Sequence, residues 1–224
     1  VNLGKSKVTP LDEAHLDYGS TLERLWPYGD VFVINVSSPN TPNLRELQDD
    51  EGLIRILRHC LEINDKQALK LKGVRKPILV KVAPDMTDEQ LIHIAKTTKN
   101  NGADGIVVSN TTVERPETSH PRDASVFGQQ GGMSGQPLKD RSTFMIRQVR
   151  QAVGKDWPII GVGGIANAQD AWEKLEAGAT LIQAYSAFVF EGPSLTKQVV
   201  HGLSQRLKAS QHNSITDVVG TKSD

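Results

Sequence analysis

The sequence predicts an α/β protein, a (β/α)8 (TIM) barrel that is incomplete, with about the last five to six βα units present in 224 residues. Three observations carry this prediction. Short β-rich runs alternate with amphipathic stretches from end to end, the pattern of βα units around a parallel sheet. The runs are apolar on both faces, as buried parallel strands are. Polar residues able to do chemistry terminate every run, as expected when all the strand ends surround one mouth. In a doubly wound sheet they would gather at a single crevice. A complete barrel needs eight strands and usually about 250 residues. Five full runs and a stub are found, so closure calls for further strands upstream.

The runs are Val31–Asn35, Ile78–Val82, Ile106–Ser109, Ile159–Val162 and Leu181–Tyr185, with Val1–Leu3 as the stub. Between them, one helix opens with Thr87 and Gln90 in capping-box spacing, presents Leu91, Ile94 and Ala95, and stops at Gly102. Another runs through Met145, Ile146, Val149 and Val153 to Gly154. A third starts at Asn167, carries Ala171, Trp172 and Leu175, and ends at Gly178. No internal repeat or linker marks a second domain, so residues 1–224 read as one partial barrel domain.

Composition excludes several function classes. The chain carries 26 basic and 26 acidic residues, so no broad field attracts nucleic acid or anionic lipid. Its single cysteine, Cys60, rules out an internal disulfide framework; among Leu53, Ile54, Leu57 and Leu61 it reads as packing. No stretch approaches the ~18 apolar residues of a membrane span, and no targeting signal lies within the segment. The histidines show no ligand spacing, so no metal site is expected. Those at positions 15, 59, 93 and 201 fall in helical stretches as packing or surface residues, and Trp26, Trp157 and Trp172 also read as packing.

The strand ends are where chemistry is expected. Asn35 to Thr41 reads NVSSPNT, two carboxamides and two serine hydroxyls around a proline that stiffens the turn. Amides and hydroxyls of this kind hold a planar, oxygen-rich ligand. Lys81 ends the second full strand in LVKVAPD; inside an apolar strand an ammonium needs a partner or a polar lumen. It either holds negative charge on a cofactor or substrate, or pairs with Asp85 at the rim. Ser109-Asn110-Thr111-Thr112 repeats the amide-hydroxyl cluster. A long connection to about Pro137 follows, carrying GGMSG at 131–135, and connections of that length are usually functional or disordered. The last two strands end in Gly161-Val162-Gly163-Gly164 and in Tyr185-Ser186, each before a helix. Paired strand–helix junctions near the end of a barrel are where phosphate binds, on backbone amides and helix N-termini. GVGG is not GxGxxG, so a dinucleotide site is poorly supported.

In this order and spacing NVSSPNTPNLRELQ, ILVKVAPDMT, VVSNTTVERP, GGMSGQPLKDRS, IIGVGGI and LIQAYSA resemble the class 2, membrane-associated and quinone-reducing, dihydroorotate dehydrogenases, over essentially the whole chain. The resemblance implies an FMN-binding barrel that oxidises dihydroorotate to orotate in de novo pyrimidine (UMP) synthesis. Ser38 falls on the catalytic base, where class 1 members place cysteine. Asn35, Asn40, Asn110 and Thr111 fall on orotate-binding positions. Asn2, Asn35, Lys81 and Ser109 match contacts to the FMN ring and ribityl chain, and Gly135, Gly164, Tyr185 and Ser186 match those around its phosphate. Serine at 109 and 186, where some relatives place threonine, keeps a hydroxyl.

Absent from these 224 residues, by the same resemblance, are the N-terminal helical lid through which quinone enters and the first barrel strands. The resemblance also implies peripheral association with a membrane: the mitochondrial inner membrane for a eukaryotic source, the preferred reading, or the bacterial inner membrane otherwise. Ser38 is expected to pass its proton onward through water, Thr41 or Thr111. Ser37 is expected to matter much less, since only one of two adjacent hydroxyls faces the substrate. The alternatives are another FMN barrel oxidoreductase, such as a class 1 enzyme using fumarate or NAD, and a phosphate-binding barrel isomerase or lyase without flavin.

Overall fold

A computed structural model describes residues 1–41, 43–48, 50–117 and 120–223. Pro42 of the NVSSPNTP motif lies outside the described residues. Six parallel strands form the sheet: β1 (Asn2–Leu3), β2 (Phe32–Asn35), β3 (Ile78–Val82), β4 (Gly105–Val108), β5 (Ile159–Val162) and β6 (Leu181–Gln183). Each strand pairs with the next, in the order β1-β2-β3-β4-β5-β6. A doubly wound sheet reverses its order at a switch point; here there is no reversal, and the sheet is a continuous part of a barrel wall. β3 and β5 occupy the ranges that the sequence predicts. β4 runs one residue earlier than expected, and β6 stops at Gln183 rather than Tyr185.

The connecting helices form an arc around the sheet. They are α1 (Ala14–Leu25), α2 (Asp50–Lys70), α3 (Asp88–Asn100), α4 (Pro121–Phe127), α5 (Lys139–Val153), α6 (Ala168–Ala177), α7 (Ser186–Glu191), α8 (Ser194–Ala209) and α9 (Ile215–Val218). Packing runs from neighbour to neighbour, α1 on α2, α2 on α3, α3 on α5, α5 on α6 and α6 on α8. Thr87 and Gln90 close the expected capping box, and Asn167 caps α6 by accepting from the N–H groups of Gln169 and Asp170. Gly178 ends α6 in the left-handed conformation, where a side chain would be strained. The connection after β4 is not featureless: it contains α4, and Thr112 bridges Met133. The Arg115 guanidinium ties it together by donating to the carbonyls of Thr112, Phe127 and Gly131.

The core lies between sheet and helices, with Phe32, Ile34, Ile78, Val80, Ile106 and Ile159 facing Leu22, Leu57, Leu91 and Ile146. Cys60 is fully buried there, and burial pushes its thiol up to about 12, which suits packing rather than nucleophilic attack. Trp26, Trp157 and Trp172 are buried as expected; Trp26 donates to Asn64 and Trp157 to the Ala103 carbonyl. β6 departs from the expectation of strands buried on both faces. Leu181 is 59% exposed, since β6 is an edge strand with no neighbour beyond it.

Candidate functional site

Parallel pairing in register sets the polar residues side by side at the C-terminal strand ends. Asn35 on β2 stands opposite Lys81 on β3, which in turn faces Val107 on β4. Beyond β4, the Val108–Ser109 peptide is cis.

The amides of the two clusters lock together. Asn35 Oδ1 accepts from the Ser37 N–H (3.3 Å), the Ser37 hydroxyl (2.8 Å) and Asn110 Nδ2 (3.2 Å). Asn110 Nδ2 also donates to Ser37 Oγ (2.9 Å), while its Oδ1 accepts the Thr111 N–H (2.8 Å). Backbone N–H groups can only donate, so they fix which end of each amide is oxygen. Both Asn110 hydrogens are therefore spent inside the protein. Those of Asn35 Nδ2 have no acceptor among the described residues, and they are the donors offered to a ligand. Tyr18, beneath the cluster, donates to the Asn35 carbonyl (2.8 Å).

Ser37 has a structural part that the sequence does not single out. It is fully buried and joins the two amides, whereas Ser38 is half-buried and accepts only from the Asn40 N–H (3.2 Å). Among the described residues neither Thr41 nor Thr111 hydrogen-bonds the Ser38 hydroxyl. Arg45 also escaped notice in the sequence. Its guanidinium donates to the Ser37 carbonyl (3.3 Å), to Asp85 (2.7 Å) and to the Thr111 carbonyl (3.2 Å), clamping the loops after β2, β3 and β4. Asp85 further accepts from the Thr112 hydroxyl and the Val113 N–H. Of the two readings of Lys81, the rim pair with Asp85 is not formed among the described residues. Lys81 has no ion pair among the described residues, and burial holds its ammonium below the usual lysine range.

At the other end of the site, Gly163 and Gly164 turn with φ of +125° and +68°. A Cβ on Gly163 would come 2.8 Å from Ser142 Oγ, and one on Gly164 2.6 Å from Lys139 Cα, so this turn is pressed onto the start of α5. Gln136 Nε2 donates to the Gly164 carbonyl (3.3 Å), and the Ser186 hydroxyl bonds Ser134 Oγ (2.8 Å). Between the two ends lies a cavity of about 690 Å³, within the ~300–1,000 Å³ usual for small-molecule sites.

A sequence model of the family described as dihydroorotate dehydrogenase matches residues 1–207. The chain belongs to the dihydroorotate dehydrogenase family. It is 43% identical over 222 residues to a dihydroorotate dehydrogenase (quinone) of Streptomyces griseus, covering 99% of this chain and 59% of that protein. It is 48% identical over 212 residues to one of Cyanothece, covering 93% and 54%. A crystal structure of DHODH in complex with ferulenol, from Eimeria tenella, superposes with a TM-score of 0.89 at 32% identity, over 99% of this chain and 61% of that one. The chain thus spans well under two thirds of the length of these dihydroorotate dehydrogenases.

Of the twelve positions that the resemblance singles out, ten line the one cavity: Asn2, Asn35, Lys81, Ser109, Asn110, Thr111, Gly135, Gly164, Tyr185 and Ser186. Ser38 and Asn40 do not line it; their loop packs beside it, and a Cβ on Gly132 would come 2.9 Å from Pro39. The lining also includes Gln136, Leu138, Ile165, Ala166, Gln183 and Phe190, none of which the sequence singles out. Ile165 carries a recognisable signal, since it directly follows the Gly163–Gly164 turn. No helix among the described residues is long and apolar enough to cross a membrane.

Proposed function

We propose that the full-length protein is a quinone-dependent dihydroorotate dehydrogenase, oxidising dihydroorotate to orotate in pyrimidine synthesis with FMN in the cavity described. The observation that carries this reading is the convergence of ten family positions, drawn from all six strands and the connections that follow them, on one space of about 690 Å³. The cavity suits the cofactor. It has an apolar wall in Leu138, Val162 and Ile165, a lone lysine at one strand end, and a glycine turn that a side chain would obstruct. FMN, when bound, supplies the hydride acceptor.

The protein's part is orientation, charge and proton removal. Asn35 Nδ2 presents two donors to an oxygen of the substrate, while Ser37 and Asn110 hold that amide in its orientation. Lys81, short of a counter-charge, stabilises negative charge that develops in the cavity. Gly164, with Tyr185 and Ser186, binds the phosphate through close backbone approach. Ser38, its oxygen anchored by the Asn40 N–H, takes the substrate proton as it passes its own hydrogen to solvent water.

Quinone, named for the curated relatives, is assigned to the part of the full-length protein that lies outside this chain, together with membrane association. These relatives are bacterial and lend no support to a mitochondrial membrane, so the bacterial inner membrane is the address proposed.

The test is anaerobic stopped-flow reduction of the full-length protein by dihydroorotate. Absorbance in the flavin bands that bleaches on mixing is expected. A colourless protein would sink this reading in favour of the isomerase or lyase. Ser38→Ala should slow bleaching by about 10²–10⁴. Ser37→Ala should instead raise the dihydroorotate KM about 5- to 150-fold, for two lost hydrogen bonds. Parental bleaching in Ser38→Ala would remove Ser38 from the role of base.

A further inference from the structure

Behind the glycine turn sits a lysine that no substrate touches. Lys174, on α6, is fully buried, and its ammonium donates to the Lys139 carbonyl (2.8 Å), Ser142 Oγ (2.5 Å) and Thr143 Oγ1 (2.5 Å). The carbonyl and the two hydroxyls give the three ammonium hydrogens one acceptor each. The Ser142 hydroxyl, its oxygen taken by Lys174, is 3.1 Å from both the Gly163 and the Lys139 carbonyls and shares its one hydrogen between them, which ties the turn to the start of α5. Neither Lys174 nor Ser142 lines the cavity; the turn stands between them and it.

We propose that Lys174 is a positioning residue for phosphate binding: from behind the Gly163–Gly164 turn, through Ser142, it holds that turn in shape and lends it the positive charge that selects a phosphomonoester over the same ligand without phosphate. The proposal rests on the FMN reading above and deepens it. A buried cation is costly unless something repays its desolvation, and hydroxyls and a carbonyl are neutral. The charges around Lys174 are otherwise committed. Lys139, at the start of α5, is held by Asp170 (2.6 Å) and Glu173 (2.9 Å), both on α6. Burial, with the Lys139 charge, pushes Lys174 down to about 7, against the opposing pull of Asp170, Glu173 and Asp140. A phosphate dianion across the turn raises it again. Above pH 7 the empty site loses this proton, and binding must take it back up. Affinity for the phosphate then falls as pH rises, by up to about tenfold per unit.

The experiment uses the full-length protein stripped of ligand, with FMN, riboflavin and inorganic phosphate as probes and flavin fluorescence and melting temperature as readouts. FMN should bind more tightly than riboflavin, with a margin that shrinks above pH 7. Lys174→Met should cut that margin by about tenfold or more at pH 7, flatten its pH dependence, and leave riboflavin binding unchanged. Ser142→Ala keeps the ammonium but cuts its link to Gly163, and should lose part of the margin; it decides the matter if Lys174→Met does not fold. An unchanged, pH-independent margin overturns the proposal, as does an equal loss of riboflavin affinity, which would make the lysine merely structural. If the parent binds neither flavin, yet inorganic phosphate raises its melting temperature and does so less in the variant, the FMN reading fails and this one stands.

Discussion

Replacing Gly164 by alanine in the full-length protein adds one methyl group at the point where the turn meets α5. The φ of +68° costs a side chain about 1–2 kcal/mol by itself. The new Cβ would also stand 2.6 Å from Lys139 Cα and 2.9 Å from its N. These are backbone atoms at the head of a helix, and they cannot swing aside as a side-chain tip would. Overpacking of this kind costs about 1–3 kcal/mol. The turn relieves both by moving into the cavity, so ligand binding must reverse the shift. Together about 2–5 kcal/mol, or about 30-fold to a few thousand-fold in FMN dissociation constant, is expected. Gly135→Ala is the control. Its φ of +88° is equally unsuited to a side chain, but its nearest neighbour, Ser186 Cβ, is 3.8 Å away. Only the conformational part applies there, about 5- to 30-fold. Flavin content of the purified protein and fluorescence titration of the stripped protein measure both. Stoichiometric flavin with unaltered affinity in Gly164→Ala would refute the assignment of this turn to the phosphate.

Two further outcomes follow from the same geometry. Asn35→Asp keeps an acceptor for Ser37 and Asn110 but removes the two free donors, so the dihydroorotate KM should rise about 10- to 150-fold; an unchanged KM would mean that those hydrogens never reach the substrate. Residues 1–224 expressed alone should associate in a concentration-dependent way, since β1 and β6 are unpaired edges and Tyr185 and Phe190 are 74% and 84% exposed beside one of them. A sharp melt from a monodisperse monomer would contradict that expectation.

The sheet was largely legible because its signals are local. Apolar runs, the Thr87–Gln90 capping box and the glycines after α3, α5 and α6 each act within a few residues. The cavity positions were legible through ordered motifs, each tied to a strand end. What stayed hidden depends on partners far along the chain. Arg45 reaches Thr111, 66 residues away, and Lys174 reaches Ser142, 32 away. In sequence Lys174 sits between Glu173 and Glu176 and looks like part of a solvated helix face; only the fold shows that it points inward. α4 was missed because HPRDASVFG has no apolar stripe, and its signal is one proline in the first turn. The part Ser37 plays in joining the two amides was hidden for the same reason as those of Arg45 and Lys174, since its partner Asn110 lies 73 residues away.

The clamp made by Arg45 changes how the loops at the strand ends can open. Loops that carry chemistry are usually drawn from the least stable parts of a fold, each fluctuating by itself. Here one planar cation is shared by the segments after β2, β3 and β4, and Asp85 extends the link to the Val113 amide. None of the three can lift away without giving up a bond that also secures the other two. Their motion is therefore collective, and the mouth on this side behaves as one hinged plate. A change of length in any single loop would be felt at once by its neighbours, which makes this rim a poor place for insertions even though it lies at the surface.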